Sequence, residues 1–257
     1  MEPRGTLQRD ELQEHIFSSY LHLRYGAAII GALLPVIVYG VGILKGVPLA
    51  DSISDYYWVP DGPEAPSRDW FVGCLFAVAA ILYLYKGFSK AENVALNLAA
   101  LLAAGVALIP TAEYDSAAGE KFSLHGFCAI SMFICLVYVV WFRSGDTLGL
   151  LPPDATPSPA RYRLMYKIVG GVMLASPLTA FVANSILGTD TSFVFFIEVA
   201  GIWAFAAYWL IKGSELKRSG ATSRALCGEI GSKPPAVEAS SPGSSWKAVG
   251  DPHPTRG

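Results

Sequence analysis

"NVALNLAALLAAGVALIP", residues 93–110, interrupts its apolar run only with Asn93 and Asn97. A helix lying on a soluble core needs a polar face repeating every 3.6 residues, and this stretch has none. Its length is close to the ~20 residues that cross ~30 Å of hydrocarbon. "FCAISMFICLVYVVWF", residues 127–142, reads the same way. Working outward, runs of this kind cover 26–45, 70–86, 93–110, 123–142, 168–187 and 192–211. Lipid cannot satisfy backbone N–H and C=O groups, so each span must be helical. The expected fold is all-α: a polytopic membrane protein with six transmembrane helices in a bundle over 26–212.

Composition agrees. Of 257 residues, 53% are hydrophobic and 16% charged, with a mean hydropathy of +0.41. Soluble domains carry about 25% charged residues. A net charge of −2 without a Lys/Arg stripe argues against nucleic acid as a partner and leaves membrane lipids as the expected one. Cys74, Cys128, Cys135 and Cys227 form no CxxC, and three lie inside apolar runs, where helix packing accounts for them.

The flanks read differently. In residues 1–25, Glu2, Asp10, Glu11 and Glu14 spoil a basic leader, so no cleaved signal is expected. Leu7, Leu12, Ile16, Tyr20 and Leu23 suggest instead a short interfacial helix in a cytoplasmic segment. Residues 213–257 read as a cytoplasmic tail, disordered by its Ser, Gly, Pro and Ala content from Ser219 onward.

Charge gives the orientation. Arg4, Arg9, Arg24, Lys86, Lys90, Arg143, Arg161, Arg163, Lys167, Lys212, Lys217 and Arg218 fall at the termini and even connections, against only Lys45, Arg68 and Lys121 elsewhere. Basic residues stay on the cytoplasmic side, so both termini are expected inside a plasma (inner) membrane. Asp51, Asp55, Asp61, Glu64, Asp69, Glu113, Asp115, Glu120 and Asp190 then lie outside and favour cations there.

The densest polar stretch is "SISDYYWVPDGPEAPSRDWFVG", residues 52–73, in the first outer connection. Ser67 stands where an N-cap belongs, and Asp69 falls in the first turn at the positive end of the helix dipole. Ser52, Ser54, Asp55, Tyr56 and Tyr57 cluster at the other end of the loop. Pairing of Arg68 with Asp55 would fold the loop back as a lid. Glu198 sits about seven residues into the last span, roughly 10 Å deep. A charge there costs on the order of 3 kcal/mol unless paired, hydrated or protonated, so Glu198 should face the bundle interior. His125 opens the fourth span on the same side, with Cys128 at i+3. Nothing comparable is expected at the inner ends, where "SKAE" at 89–92 makes Glu92 part of a capping box.

Only four histidines exist, at 15, 22, 125 and 253, and neither HExxH nor HxxxH occurs. A histidine-rich zinc centre is excluded, and Asp55, Asp69 and His125 remain candidates for a harder cation. GxSxG, P-loop and GxGxxG motifs are absent, and no cofactor is indicated. Ser54 or Ser123 beside His125 is the remaining nucleophile arrangement.

"SISDYY" at 52–57, "RDWFVG" at 68–73, "YKGFSKAEN" at 85–93, "LNLAALLAAGVALIPT" at 96–111 and "LHG" at 124–126 carry a resemblance. Together they resemble a family of bacterial six-helix membrane proteins of unknown function. More distantly they are similar to the damage-regulated autophagy modulators and Sfk-type lipid-asymmetry regulators. The resemblance implies a six-helix bundle with both termini inside, and marks Ser54, Asp55, Tyr57, Arg68, Asp69, Thr111 and His125. It supplies no reaction.

Three functions fit these residues. The first is binding or organising a lipid head group or small cationic ligand in an outer-facing pocket formed by Ser54, Asp55, Tyr57, Arg68, Asp69, Thr111, Glu113, His125 and Glu198, with tyrosine faces for the cation. The second is a lipid hydrolase or transferase with His125 or Glu198 as general base and a carboxylate-held metal. The third is a structural subunit whose polar residues join helices. For transport, no internal repeat is visible, and only Pro35 and Ser176-Pro177 hint at broken helices.

Overall fold

The computed structural model describes residues 4–109, 123–187 and 192–226. Six helices in it have the length and apolarity to cross a membrane. They are α1 (Arg4–Leu44), α2 (Pro66–Leu84), α3 (Lys90–Leu108), α4 (Leu124–Tyr138, extended by irregular turns), α5 (Pro159–Leu187) and α6 (Phe193–Ser219), followed by a short α7 (Ala221–Leu226). Each packs on its neighbours in sequence, and α6 returns to α1, so the six close into a ring. The protein is a six-helix, multi-pass membrane bundle.

Helix ends follow local chemistry. Gly46, at φ 78°, takes the left-handed turn that stops α1, and Gly46 N–H reaches the Ile43 carbonyl at 2.9 Å. At α3, the Ser89 hydroxyl accepts from Glu92 N–H at 3.1 Å, as a capping box requires. The reciprocal bond differs by one residue, because the Glu92 carboxylate accepts from Phe88 N–H at 2.8 Å rather than from Ser89. The core face of α3 is a stripe of small residues, Ala95, Ala99 and Ala103, which lets α2 and α4 approach closely.

Several elements depart from the sequence expectations. The N-terminal segment is no separate interfacial helix, since α1 runs unbroken for 41 residues. Pro35 and Pro177 both lie inside continuous helices. Beside Pro177, the Ser176 hydroxyl donates to the Ile197 carbonyl of α6 at 2.8 Å, and Gly201 provides the space for that side chain. The tail is not irregular from residue 213: α6 continues to Ser219, Gly220 turns at φ 61°, and α7 folds back against α1. Residues 227–257 lie outside the described part. The real irregularity is at the end of α4, where a π turn (Val139–Arg143) and a 3₁₀ segment (Ser144–Leu150) replace α-helix.

Candidate functional site

The α1–α2 connection plugs one end of the ring, here called the loop-one end. Its prolines and glycines forbid a long helix, but Ile53 and Tyr56 are apolar enough to dive inward. Both are buried among Leu34, Val38, Phe71, Val106 and Phe195. Gly42 makes this possible, because a Cβ there would lie 2.7 Å from the Tyr56 ring. The polar residues between these anchors are carried down with them and must find partners.

Glu198 supplies one set. Its Oε2 accepts from the Ser52 hydroxyl at 2.9 Å and from Ile53 N–H at 2.7 Å. Ser52 Oγ in turn accepts from Ser54 N–H at 3.0 Å, and Phe195 N–H in the first turn of α6 donates to the Asp51 carbonyl at 2.8 Å. His125 supplies the other. Its Nδ1 donates to the Ile109 carbonyl at 2.6 Å, because a carbonyl can only accept. In the neutral ring that leaves Nε2 as acceptor for the Ser54 hydroxyl at 3.0 Å. Glu198, Ser52, Ser54 and His125 therefore form one continuous chain of hydrogen bonds, joining α6 to α4 through the loop.

The other expected residues are placed differently. Asp55 heads the 3₁₀ turn Ser54–Tyr57, and burial pushes its carboxyl up to about 6; the Asp51 charge adds to the rise, and a backbone hydrogen bond from Ser52 opposes it. Arg68 does not pair with Asp55. It lies 3.7 Å from Asp69, with its guanidinium 5.9 Å from the Tyr57 ring centroid, so the contact that draws the loop toward α2 is cation–π. Nor is Ser67 the N-cap of α2. Pro66 occupies the first helical position after Ala65, at φ 42°, and the buried Asp61 carboxylate does the capping by accepting from Ser67 N–H at 2.7 Å. Thr111 and Glu113 lie outside the described residues. Among the described residues no three His, Cys, Asp or Glu side chains converge as metal ligands.

Asp69 instead faces a groove of about 540 Å³ along α2. Glu64, Asp69 and Trp70 line its upper part, and Gly73, Cys74, Ala77 and Ile30 line the rest. Positions 66, 69, 70, 73 and 77 recur at helical spacing, so α2 presents them on one face. Gly73 has open space where a Cβ would stand.

The opposite end holds a second polar cluster, where none is expected from sequence. Lys212 and Glu215 form a fully buried ion pair at 2.6 Å, with Thr147, Ser144 and Tyr166 around them. Arg24 is buried beside them on α1, its guanidinium 5.3 Å from the Tyr85 ring centroid and bonded to Tyr85 and Thr222 hydroxyls. Arg24, Lys212 and Glu215 sit just beyond the apolar runs that begin at 26 and end at 211. One signal could have found them: Phe205, Tyr208, Trp209, Lys212, Glu215, Leu216 and Ser219 keep the i, i+3, i+4 spacing of a single buried stripe.

No protein-family model, curated protein or solved structure matches the chain.

Proposed function

We propose that the protein binds a lipid with an ammonium-bearing head group at its loop-one end, in the groove along α2. The groove itself is the observation that carries this reading. Its upper part offers two carboxylates, Glu64 and Asp69, and the indole face of Trp70, which together attract and stack a quaternary or primary ammonium. Its lower part is apolar and shallow at Gly73 and Ala77, which suits the start of an acyl chain. A volume near 540 Å³ falls in the range of small-ligand sites. The buried Ser52–Glu198 and Ser54–His125 bonds then serve to hold the loop, and with it the rim of the groove, in one position. The excess of Lys and Arg on the even connections supports placing the groove in the outer leaflet with both termini inside. The resemblance of loop one through helix four to bacterial six-helix proteins supports a bacterial inner membrane.

The test is thermal unfolding in detergent with added phosphatidylethanolamine or phosphatidylglycerol. Wild type should be stabilised by the amine-bearing lipid alone. Glu64→Gln with Asp69→Asn, and separately Gly73→Leu, should abolish the difference. Equal stabilisation by both lipids, or a difference that survives both variants, would sink the proposal.

One observation favours a second reading. The Ser54 hydroxyl donates to a histidine nitrogen whose partner nitrogen is oriented by a carbonyl, the arrangement of a serine made nucleophilic by an adjacent base. Under this reading Ser54 Oγ attacks an ester carbonyl, His125 Nε2 takes its proton and passes it to the departing alcohol, and water later frees the acyl group. A fluorophosphonate probe should label wild type and neither Ser54→Ala nor His125→Gln; an unlabelled wild type rules the reading out.

A further inference from the structure

A protein can hold an ammonium group in two ways. A quaternary one has no N–H and is recognised by π faces that close round it as an aromatic cage. A primary one has three N–H donors and needs three acceptors. What the rings and oxygens at the loop-one end already touch decides between the two. Among the described residues that line the groove, Trp70 alone is aromatic, and it is half exposed. The tyrosine faces expected for the cation are turned elsewhere. Tyr56 is fully buried, its ring 6.2 Å from that of Phe195. Tyr57 meets Trp58 edge-on at 5.1 Å and carries the Arg68 guanidinium at 5.9 Å. Position 68 also falls off the helix face that 66, 69, 70, 73 and 77 share, so Tyr57 follows it away from the groove. One indole does not make a cage.

The oxygens are better matched. Asp69 presents Oδ1 to Arg68 Nε at 3.7 Å and, with its side chain 69% exposed, leaves Oδ2 open. Glu64, exposed in the same upper part of the groove, has no ion-pair or hydrogen-bond partner among the described residues. Three carboxylate oxygens thus stand available to three N–H donors. Charge alone would not choose between ammonium types, because exposed carboxylates attract both weakly through screening water. Hydrogen bonds do choose, since each N-methyl group removes one charge-assisted donor.

We propose that the groove selects a primary ammonium over a quaternary one, with Glu64 and Asp69 as acceptors and the Trp70 indole as a flat wall beside them. This rests on the groove being a lipid head-group site, and it names the ligand as an ethanolamine-type lipid rather than a choline one. Stacking on Trp70 adds attraction for either type, so the two carboxylates are the selecting groups. Each N-methyl added to the head group should weaken binding roughly 2- to 10-fold, the worth of one net hydrogen bond.

The test is thermal unfolding of the full-length protein in detergent, titrated with phosphatidylethanolamine, its N-methyl and N,N-dimethyl derivatives and phosphatidylcholine. All four carry the same acyl chains, and phosphatidylglycerol gives the baseline. The lipid concentration needed for half-maximal stabilisation should rise in that order. Glu64→Gln should compress the series, whereas Trp70→Leu should weaken every member and keep the order. Phosphatidylcholine stabilising as well as phosphatidylethanolamine, with both above phosphatidylglycerol, would overturn the selection and leave the head-group reading standing. A series that Trp70→Leu flattens and Glu64→Gln leaves unchanged would overturn it too, because the indole would then be the selecting contact. A series level with phosphatidylglycerol throughout would overturn the selection and the head-group reading together.

Discussion

Glu198 is worth more to the fold than a lone carboxyl in a membrane helix suggests, because two loop donors depend on it. Replacing it with Ala strands the Ser52 hydroxyl and Ile53 N–H in a buried place, at about 1–3 kcal/mol for each unsatisfied group. Glu198→Ala should therefore lower the unfolding temperature in detergent clearly, and Glu198→Gln, which keeps an acceptor oxygen, should lower it less. Asp55 works in the opposite direction. Its folded carboxyl titrates near 6 against 3.8 ordinarily, so the folded state holds the proton more tightly. Between those values the folded protein binds more protons than the unfolded one, and stability falls as pH rises. The protein should be more stable at pH 4 than at pH 6.5 by this contribution, and Asp55→Asn should raise neutral-pH stability and flatten the dependence, as pH-resolved unfolding would show. Residue types pointed to Ser54, Asp55, His125 and Glu198 from sequence alone. Chemistry left Ser54 and Ser123 as alternatives beside His125, and the structure pairs Ser54 with it; the partner of Glu198 was beyond reach, since Ser52 is 146 positions away and meets it only once the helices are in a ring.

At the scale of elements, small residues decide where helices touch. A Cβ on Gly201 would come within 2.7 Å of the Ser176 Cβ, which belongs to the α5–α6 contact. Gly201→Val should displace Ser176, break its bond to the Ile197 carbonyl and markedly reduce stability. Gly40, where a Cβ meets nothing within 4 Å, is the matched control. Gly40→Ala should be neutral or stabilising by about 0.5–1 kcal/mol, through helix propensity alone. Hydropathy revealed all six spans because lipid demands apolar surface over a fixed length. It misplaced helix ends, because backbone hydrogen bonds continue past the point where charge begins. Arg24, Lys212 and Glu215 are charged and yet buried in helices that run on past the apolar stretches of the sequence. The break after Tyr138 was equally hidden, since "VVWFRSG" has no proline to announce it.

The whole molecule turns the soluble pattern inside out. Leu33, Val36, Leu84, Leu101, Leu108, Phe196 and Leu210 are exposed, whereas Arg24, Glu92, Lys212 and Glu215 are buried. Water would not tolerate that surface, and lipid requires it. Within this frame the loop-one end and the opposite end divide the chemistry: a plugged mouth beside an acidic groove at one, a caged ion pair at the other. If the distribution of Lys and Arg sets the orientation, a cysteine at Glu64 should react with a membrane-impermeant maleimide added outside intact cells. One at Lys217, exposed at the other end, should react only after permeabilisation. The most direct test of the groove is native mass spectrometry of wild type beside Gly73→Leu, each exchanged into an equal mixture of phosphatidylethanolamine and phosphatidylglycerol. Wild type should retain one phosphatidylethanolamine that Gly73→Leu has lost. Retention of phosphatidylglycerol instead, or identical adducts on both proteins, would contradict an ammonium-bearing head group held against α2.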